Sequence, residues 1–465
     1  MFSRYIRFTI LQLVHLFYPH IEVKGLENLP AQGPIIFVLN HPNGLLDPML
    51  LIVGLQRPVS FLAKSTFFAN PVGYVFMKAF EALPIYRSVD EGQVGGPHND
   101  AAERNEKTFA RCRTLLRHGK ALALFPEGTT HSGTTLLPLR TGAARIALSA
   151  EAEANGQLGL QIVPVGLWYQ NKTRFRSSAL LVIGQPFDLT HYITPYSIDQ
   201  RQTVRDLTDQ IDARLDGVVL QAENNELLRG ISVVAAWTAP QGQSLTLSEQ
   251  HARATKLLVA YERLRSTDPV KVEQIAQQAR GYARVLRTLG ISDPWALELT
   301  AAHRGRIAWL LFILIVSFPL AAVGFLLSYG PYRLAAPVTP RLMGPQEELT
   351  STGKLIIGSV LVVLGWLLVA IVWGILFGAI WGVLLFLASP ASAYIALRWG
   401  ESWDELREIV VYRWLYLRHR SLVEALMTRR QALATQIMEA VRATEGEFGE
   451  IKETASNLIS QSGNL

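Results

Sequence analysis

The stretch Ile35-Ile36-Phe37-Val38-Leu39-Asn40-His41-Pro42-Asn43-Gly44-Leu45-Leu46-Asp47-Pro48 decides the fold class. Its first five residues are all apolar and three are β-branched, which reads as a strand covered on both faces, as in a parallel sheet. Pro42 and Gly44 then turn the chain, and an apolar run from Asp47 to Leu55 reads as a helix. A second stretch has the same design: Ala121 to Phe125 is apolar and leads into Pro126-Glu127-Gly128-Thr129-Thr130-His131-Ser132. Both put polar, reactive residues just past the end of a buried strand, where open α/β sheets keep their sites.

Working outward, short apolar runs alternate with helical ones between about residue 20 and 190. Strands are expected at Ile35–Leu39, Val59–Ala63, Ala82–Ile85, Ala121–Phe125, Gln161–Gly166 and Ala179–Gly184, with helices at Asp47–Leu55, Pro71–Phe80, Ala101–Leu116 and Thr141–Ala154. This rhythm predicts an α/β domain, a mainly parallel sheet flanked by helices, over 20–195. Residues 196–305 read as a helical region: Val204, Leu207, Ile211, Leu215 and Val218 share one face, and further helical patterns cover His251–Arg265 and Lys271–Leu289.

Transmembrane helices follow at 306–398. Ile307–Ser328 and Leu355–Leu397 contain no charged residue. One helix over the second run would be ~65 Å long, about twice the hydrocarbon thickness, so two spans joined by a tight turn fit it better (355–375 and 377–397). Gly374, Gly378 and Gly382 suit that turn or a close helix–helix face. Basic residues flank both outer ends, which by the positive-inside rule favours an even number of spans, whereas length favours three. Residues 399–465 read as an amphipathic helical tail. At the other end, Tyr5–Tyr18 is too short to span and has no small-residue cleavage site after it. With Arg4, Arg7, Phe8 and Phe17 it reads as an interfacial membrane helix over 1–19.

Composition narrows the function classes. The chain has 465 residues, 49% of them hydrophobic, with a formal net charge of +6 and one cysteine. A single cysteine excludes an intrachain disulfide and a multi-cysteine zinc site, and Cys112 lacks the surroundings of a catalytic thiol. The basic residues lie beside apolar segments and not in an aromatic-interleaved patch, so the charge favours an anionic lipid surface over nucleic acid.

His41 is a candidate general base, since imidazole titrates near neutral pH, and Asp47 is its candidate orienter. Glu127, Gly128 and Thr129 form a polar strand end, in which the glycine allows close approach of a ligand to the backbone. Arg87, after the run Ala82–Tyr86, offers a forked cation for a phosphate, and Lys64 and Lys120 are further cationic candidates. No phosphate-binding glycine loop, dinucleotide fingerprint, zinc spacing or Gly-x-Ser-x-Gly elbow occurs.

Four ordered motifs resemble the glycerolipid acyltransferase superfamily: His41…Asp47-Pro48, Pro84-Ile85-Tyr86-Arg87, Phe125-Pro126-Glu127-Gly128 and Ile162-Val163-Pro164-Val165. Two features depart from the common pattern. Five residues instead of four separate His41 from Asp47, and Thr130 stands where many members have an arginine. Both departures resemble the fungal-type glycerol-3-phosphate/dihydroxyacetone-phosphate acyltransferases. So do Glu127-Gly128…His131, Leu136-Leu137-Pro138 and Lys172…Arg174-Phe175-Arg176.

The resemblance implies a membrane-bound O-acyltransferase of phospholipid biosynthesis, with its catalytic domain on the cytoplasmic side. His41 would deprotonate the acceptor hydroxyl, oriented by Asp47. Glu127 and Gly128 would shape the acceptor site, and Arg87, Arg174 or Arg176 would hold its phosphate. The donor would be acyl-CoA or acyl-carrier protein as co-substrate, with no metal or other cofactor and no nucleic-acid partner. The acceptor would be glycerol 3-phosphate. The alternatives are lysophosphatidate as acceptor, or a catalytically inactive lipid-binding membrane protein.

Overall fold

The computed structural model describes residues 2–55, 57–69, 71–86, 101–240, 245–290, 304–343 and 347–462. The chain forms two compact units, Met1–Asn225 with Val338–Ile357, and Glu226–Pro337 with Gly358–Leu465.

The first unit holds seven strands, β1 (His20–Lys24), β2 (Ile35–Leu39), β3 (Val59–Lys64), β4 (Leu83–Ile85), β5 (Ala121–Leu124), β6 (Gln161–Tyr169) and β7 (Ser178–Ile183). Its helices are α1 (Phe2–Phe17), α2 (Leu46–Leu55), α3 (Pro71–Ala79), α4 (Ala101–Arg117), α5 (Gly142–Glu153), α6 (Thr190–Ile198) and α7 (Gln200–Asp216). The strands form one sheet in the order β1-β7-β6-β2-β5-β3-β4, parallel throughout except for the β6–β7 pair.

Every residue of β2 and β5 is buried, and the period of two divides them between two cores. Ile35, Phe37, Leu39, Ala121 and Ala123 face a core completed by Val14 and Phe17 of α1, Met49 and Leu50 of α2, and Met77 of α3. Ile36, Val38, Leu122 and Leu124 face the opposite core, with Cys112 of α4, Ile146 of α5 and Leu207 and Ile211 of α7. Burial pushes the Cys112 thiol up to about 12, so it is not a nucleophile near neutral pH.

All six expected strands are present. β1 was missed because it is an edge strand of mixed polarity, His-Ile-Glu-Val-Lys, whose pairing with β7 is created only by the fold. The expected domain boundary at 195 moves outward. The apolar face of α7 seals the second core, so the first unit runs to Asn225 and also takes in Val338–Ile357. Helix α1 is divided along its length: Val14 and Phe17 are buried, whereas Tyr5 and Phe8 are exposed.

The remaining elements are helices, α8 (Asn225–Trp237), α9 (Leu247–Thr267), α10 (Pro269–Leu289), α11 (Arg304–Met343), α12 (Glu347–Phe377), α13 (Ala379–Arg418) and α14 (Arg420–Ser462); they make up the second unit, except that the end of α11 and the start of α12 belong to the first. Helices α11, α12 and α13 are each long and apolar enough to cross a membrane. They leave Phe312, Leu326, Leu368, Ile375 and Trp381 exposed, which suits a lipid surround. The expected turn falls at Gly378, at φ +104°. Helices α12 and α13 touch beside it, where a Cβ on Gly382 would lie 2.4 Å from the Ala370 carbonyl oxygen. The expected tail from 399 is corrected. Helix α13 runs unbroken through Arg418, because the charges after Leu397 end the apolar run but do not interrupt backbone hydrogen bonding.

Candidate active site

The strand order sets the place of the site. From β2 the chain crosses by α2 to β3 on one side, and from β5 it crosses by α5 to β6 on the other. The crevice at such a reversal opens at the carboxyl ends of β2 and β5, where His41 and Glu127 stand.

The loop after β2 is tied at both ends. The Asn40 side chain mimics a peptide: its Nδ2 donates to the Leu167 carbonyl (3.1 Å) and its Oδ1 accepts from the Leu167 amide (2.7 Å), extending the β2–β6 pairing by one residue. Gly44 turns the chain at φ +53°, and Asp47 enters the first turn of α2 fully buried.

Its carboxylate accepts three hydrogen bonds. Oδ2 takes the His41 Nδ1–H (2.8 Å) and the Asn43 amide (2.8 Å), and Oδ1 takes the Tyr169 hydroxyl (2.5 Å). A carboxylate can only accept, so Nδ1 of His41 carries the proton and Nε2 keeps its lone pair. The imidazole stacks on Phe125, with ring centroids 4.1 Å apart. Burial first, and the Asp47 charge second, push the Tyr169 phenol well above its ordinary value, so it remains a donor across the neutral range. Tyr18 is pushed the same way by burial, and its hydroxyl receives Asn43 Nδ2 at 2.8 Å.

Glu127 is also buried, but its oxygens serve the scaffold. Oε1 accepts the backbone N–H of His41 (3.0 Å), and Oε2 accepts the Leu137 N–H (3.0 Å) and the His131 imidazole. The Gly133 N–H donates to His131 Nδ1 (3.1 Å), which fixes the proton of that ring on the nitrogen facing Glu127. The His131 amide also donates to the His41 carbonyl (3.3 Å), so the peptide of His41 is gripped on both sides by the loop after β5.

Gly128 adopts φ +70°, and a Cβ there would lie 2.5 Å from Cδ and Nε of Arg140, whose stem crosses the glycine. The Arg140 amide is bonded to the Pro126 carbonyl (2.7 Å).

Of the other expected residues, Lys64, Thr129, Arg174 and Arg176 lie along the same edge. Lys64 closes β3 and is half-buried; Thr129 is exposed. Arg174 is exposed in the β6–β7 turn. Arg176, at φ +65°, ties that turn to the end of α1 through the Phe17 carbonyl (2.9 Å) and Leu16 carbonyl (3.5 Å), a structural engagement. Lys120 precedes β5 and so stands at the opposite edge of the sheet. Arg87 lies outside the described residues. Among those described, no three of His, Cys, Asp and Glu are grouped to hold a metal ion.

Sequence reasoning missed Asn40, Tyr18, Tyr169 and Arg140, and it gave Asn43 no role. The two asparagines stand within the first quoted stretch, and Arg140 follows Leu136-Leu137-Pro138 closely. Nothing local marks Tyr169, which is 122 positions from its partner Asp47.

The Acyltransferase family profile matches residues 20–168, the segment that holds both loops. Residues 20–168 thus match an acyltransferase domain. It is similar to an uncharacterized acyltransferase of Schizosaccharomyces pombe, 25% identical over 60% of this chain and 53% of that one. It is also similar to glycerol-3-phosphate O-acyltransferase 1 of Saccharomyces cerevisiae, 23% identical over 70% of this chain and 54% of that one. A chloroplastic 1-acyl-sn-glycerol-3-phosphate acyltransferase of Brassica napus is 28% identical over 31% of this chain and 36% of that one. The chain thus spans about half the length of the two yeast relatives.

Proposed function

We propose that this chain is a membrane-bound acyltransferase that moves a fatty acyl group from an acyl thioester, acyl-CoA or acyl-carrier protein, to a hydroxyl of glycerol 3-phosphate. The carrying observation is the buried Asp47 carboxylate on His41 Nδ1, next to the loop of Glu127 and Gly128.

In the reaction, Nε2 of His41 takes the acceptor's hydroxyl proton as its oxygen attacks the thioester carbonyl. Asp47 stabilises the imidazolium that forms. Collapse of the tetrahedral adduct breaks the C–S bond, and the same imidazolium returns its proton to the departing thiolate. The exchange balances without a further cofactor. Arg140, lying across Gly128, and Arg87, beyond the end of β4, are the cations we assign to the acceptor phosphate. Arg304 and Arg306 at the head of α11 support a cytoplasmic catalytic domain.

The test supplies the purified full-length protein in lipid with labelled acyl-CoA or acyl-carrier protein and, in parallel, glycerol 3-phosphate, dihydroxyacetone phosphate and lysophosphatidate. Ester formed on glycerol 3-phosphate, and lost in His41→Ala, is the expected result. Product only from lysophosphatidate moves the assignment to the second acylation step, which the Brassica relative's name favours. Product from no acceptor with either donor overturns the enzymatic reading in favour of a lipid-binding protein.

A further inference from the structure

We propose that Ser351, near the start of α12, is a positioning residue for the His41–Asp47 pair. The inference rests on the catalytic reading above. Ser351 is fully buried, and its hydroxyl donates to the Lys172 carbonyl (2.5 Å). Tyr18 donates to that same carbonyl at 2.6 Å. Asn43 Nδ2 donates to the Tyr18 oxygen at 2.8 Å and approaches the Lys172 carbonyl at 3.4 Å. The backbone N–H of Asn43 then donates to Asp47 Oδ2, the oxygen that holds His41 Nδ1.

Hydrogen bonds through the Lys172 carbonyl and Tyr18, together with the covalent frame of Asn43, therefore join Ser351 to the base. One helical turn on, Lys354 Nζ donates to the Thr173 carbonyl (3.0 Å), so α12 clamps the Lys172–Thr173 segment twice. The apolar stretch of this helix, Thr350–Phe377, begins at the same place. Nothing in the reaction needs Ser351 to touch substrate. Its contribution is the placement of Asn43 and Asp47, and small displacements of a reacting group are costly in rate.

The experiment compares wild type, Ser351→Ala, Tyr18→Phe and the double variant, full length in phospholipid nanodiscs. Each single variant is expected to lower kcat about 3- to 10-fold, the value of one hydrogen bond, with KM for donor and acceptor unchanged. Because both hydroxyls act through one carbonyl, the double variant should lose no more than the worse single one. Multiplicative losses, an unchanged kcat, or a rise in KM for either substrate would each overturn the proposal. Hydrogen–deuterium exchange supplies a readout independent of turnover: the peptide holding Asn43 should exchange faster in Ser351→Ala, while β2 and β5 stay as protected as in wild type. Unaltered exchange at Asn43 sinks the positioning role. Faster exchange at Asn43 in a chain whose wild type turns over no substrate upholds the linkage and fails only the enzymatic reading.

Discussion

The loops after β2 and β5 are built from like parts and do unlike work. Each follows a wholly buried parallel strand, and each contains one buried carboxylate and one partly exposed histidine. In the first, Asp47 spends one oxygen on the histidine side chain and the Asn43 amide, which leaves His41 Nε2 uncommitted to Asp47. In the second, Glu127 spends its oxygens on two backbone amides and on His131, whose other nitrogen is taken up by Gly133. The contrast shows that residue type at a strand end does not by itself distinguish a side chain with an unengaged nitrogen from a brace. What distinguishes them is which atoms remain free after the loop's own amides have been satisfied.

Substitutions can break this comparison, and the largest effect is expected at His41. His41→Ala should lower kcat/KM about 10³-fold with an unchanged melting temperature, measured by acyl transfer and calorimetry side by side. Asp47→Asn should cost about 10²-fold in kcat, since a carboxamide can donate to Nδ1 and so place the imidazole proton on Nε2. If the second loop is a brace, Glu127→Gln should behave differently. It leaves one of three buried donors unmatched, so about 1–3 kcal/mol of stability should disappear together with about tenfold of activity. Loss of activity at full stability would instead put Glu127 on the substrate.

A smaller effect separates the cations. Arg140→Ala and Arg87→Ala should each raise the acceptor KM about tenfold and leave the donor KM alone, because a phosphate contact acts on one substrate only. Equal changes in both constants would remove the residue concerned from the acceptor site. The smallest effect is expected from Tyr169→Phe, a few-fold loss in kcat. The pH dependence has a defined sign. The raised Tyr169 value means that the protonated phenol contributes stability in full below the ordinary tyrosine value, and that this contribution is lost only as pH rises toward the raised one. Wild type and Tyr169→Phe should therefore show the same ratio of melting stabilities from pH 6 to about 9.

Much of the molecule was legible in its sequence because the signals are local. A run such as Ile35–Leu39 can only be satisfied inside a sheet, and 355–397 is too long and apolar to be one soluble helix. The pairing of His41 with Asp47 was also legible, since both fall within one turn between a strand and a helix. Polarity proved a poor guide to helix ends: the charges after Leu397 suggested a new element, and α13 ran on to Arg418.

The α/β domain, the pairing of His41 with Asp47 and the three apolar helices were readable from the chain alone. These follow from periodicity, from run length and from residues a few positions apart. Only the tertiary structure decided that Glu127 grips the backbone of His41, that Tyr169 and Tyr18 complete the polar cluster around Asp47, and that residues 338–357 return to the first unit. The reason is physical. A buried donor or acceptor must find a partner, but hydrogen bonding does not specify where along the chain that partner lies. The strand order β6-β2-β5 brings together groups more than a hundred residues apart, and no local pattern encodes that order.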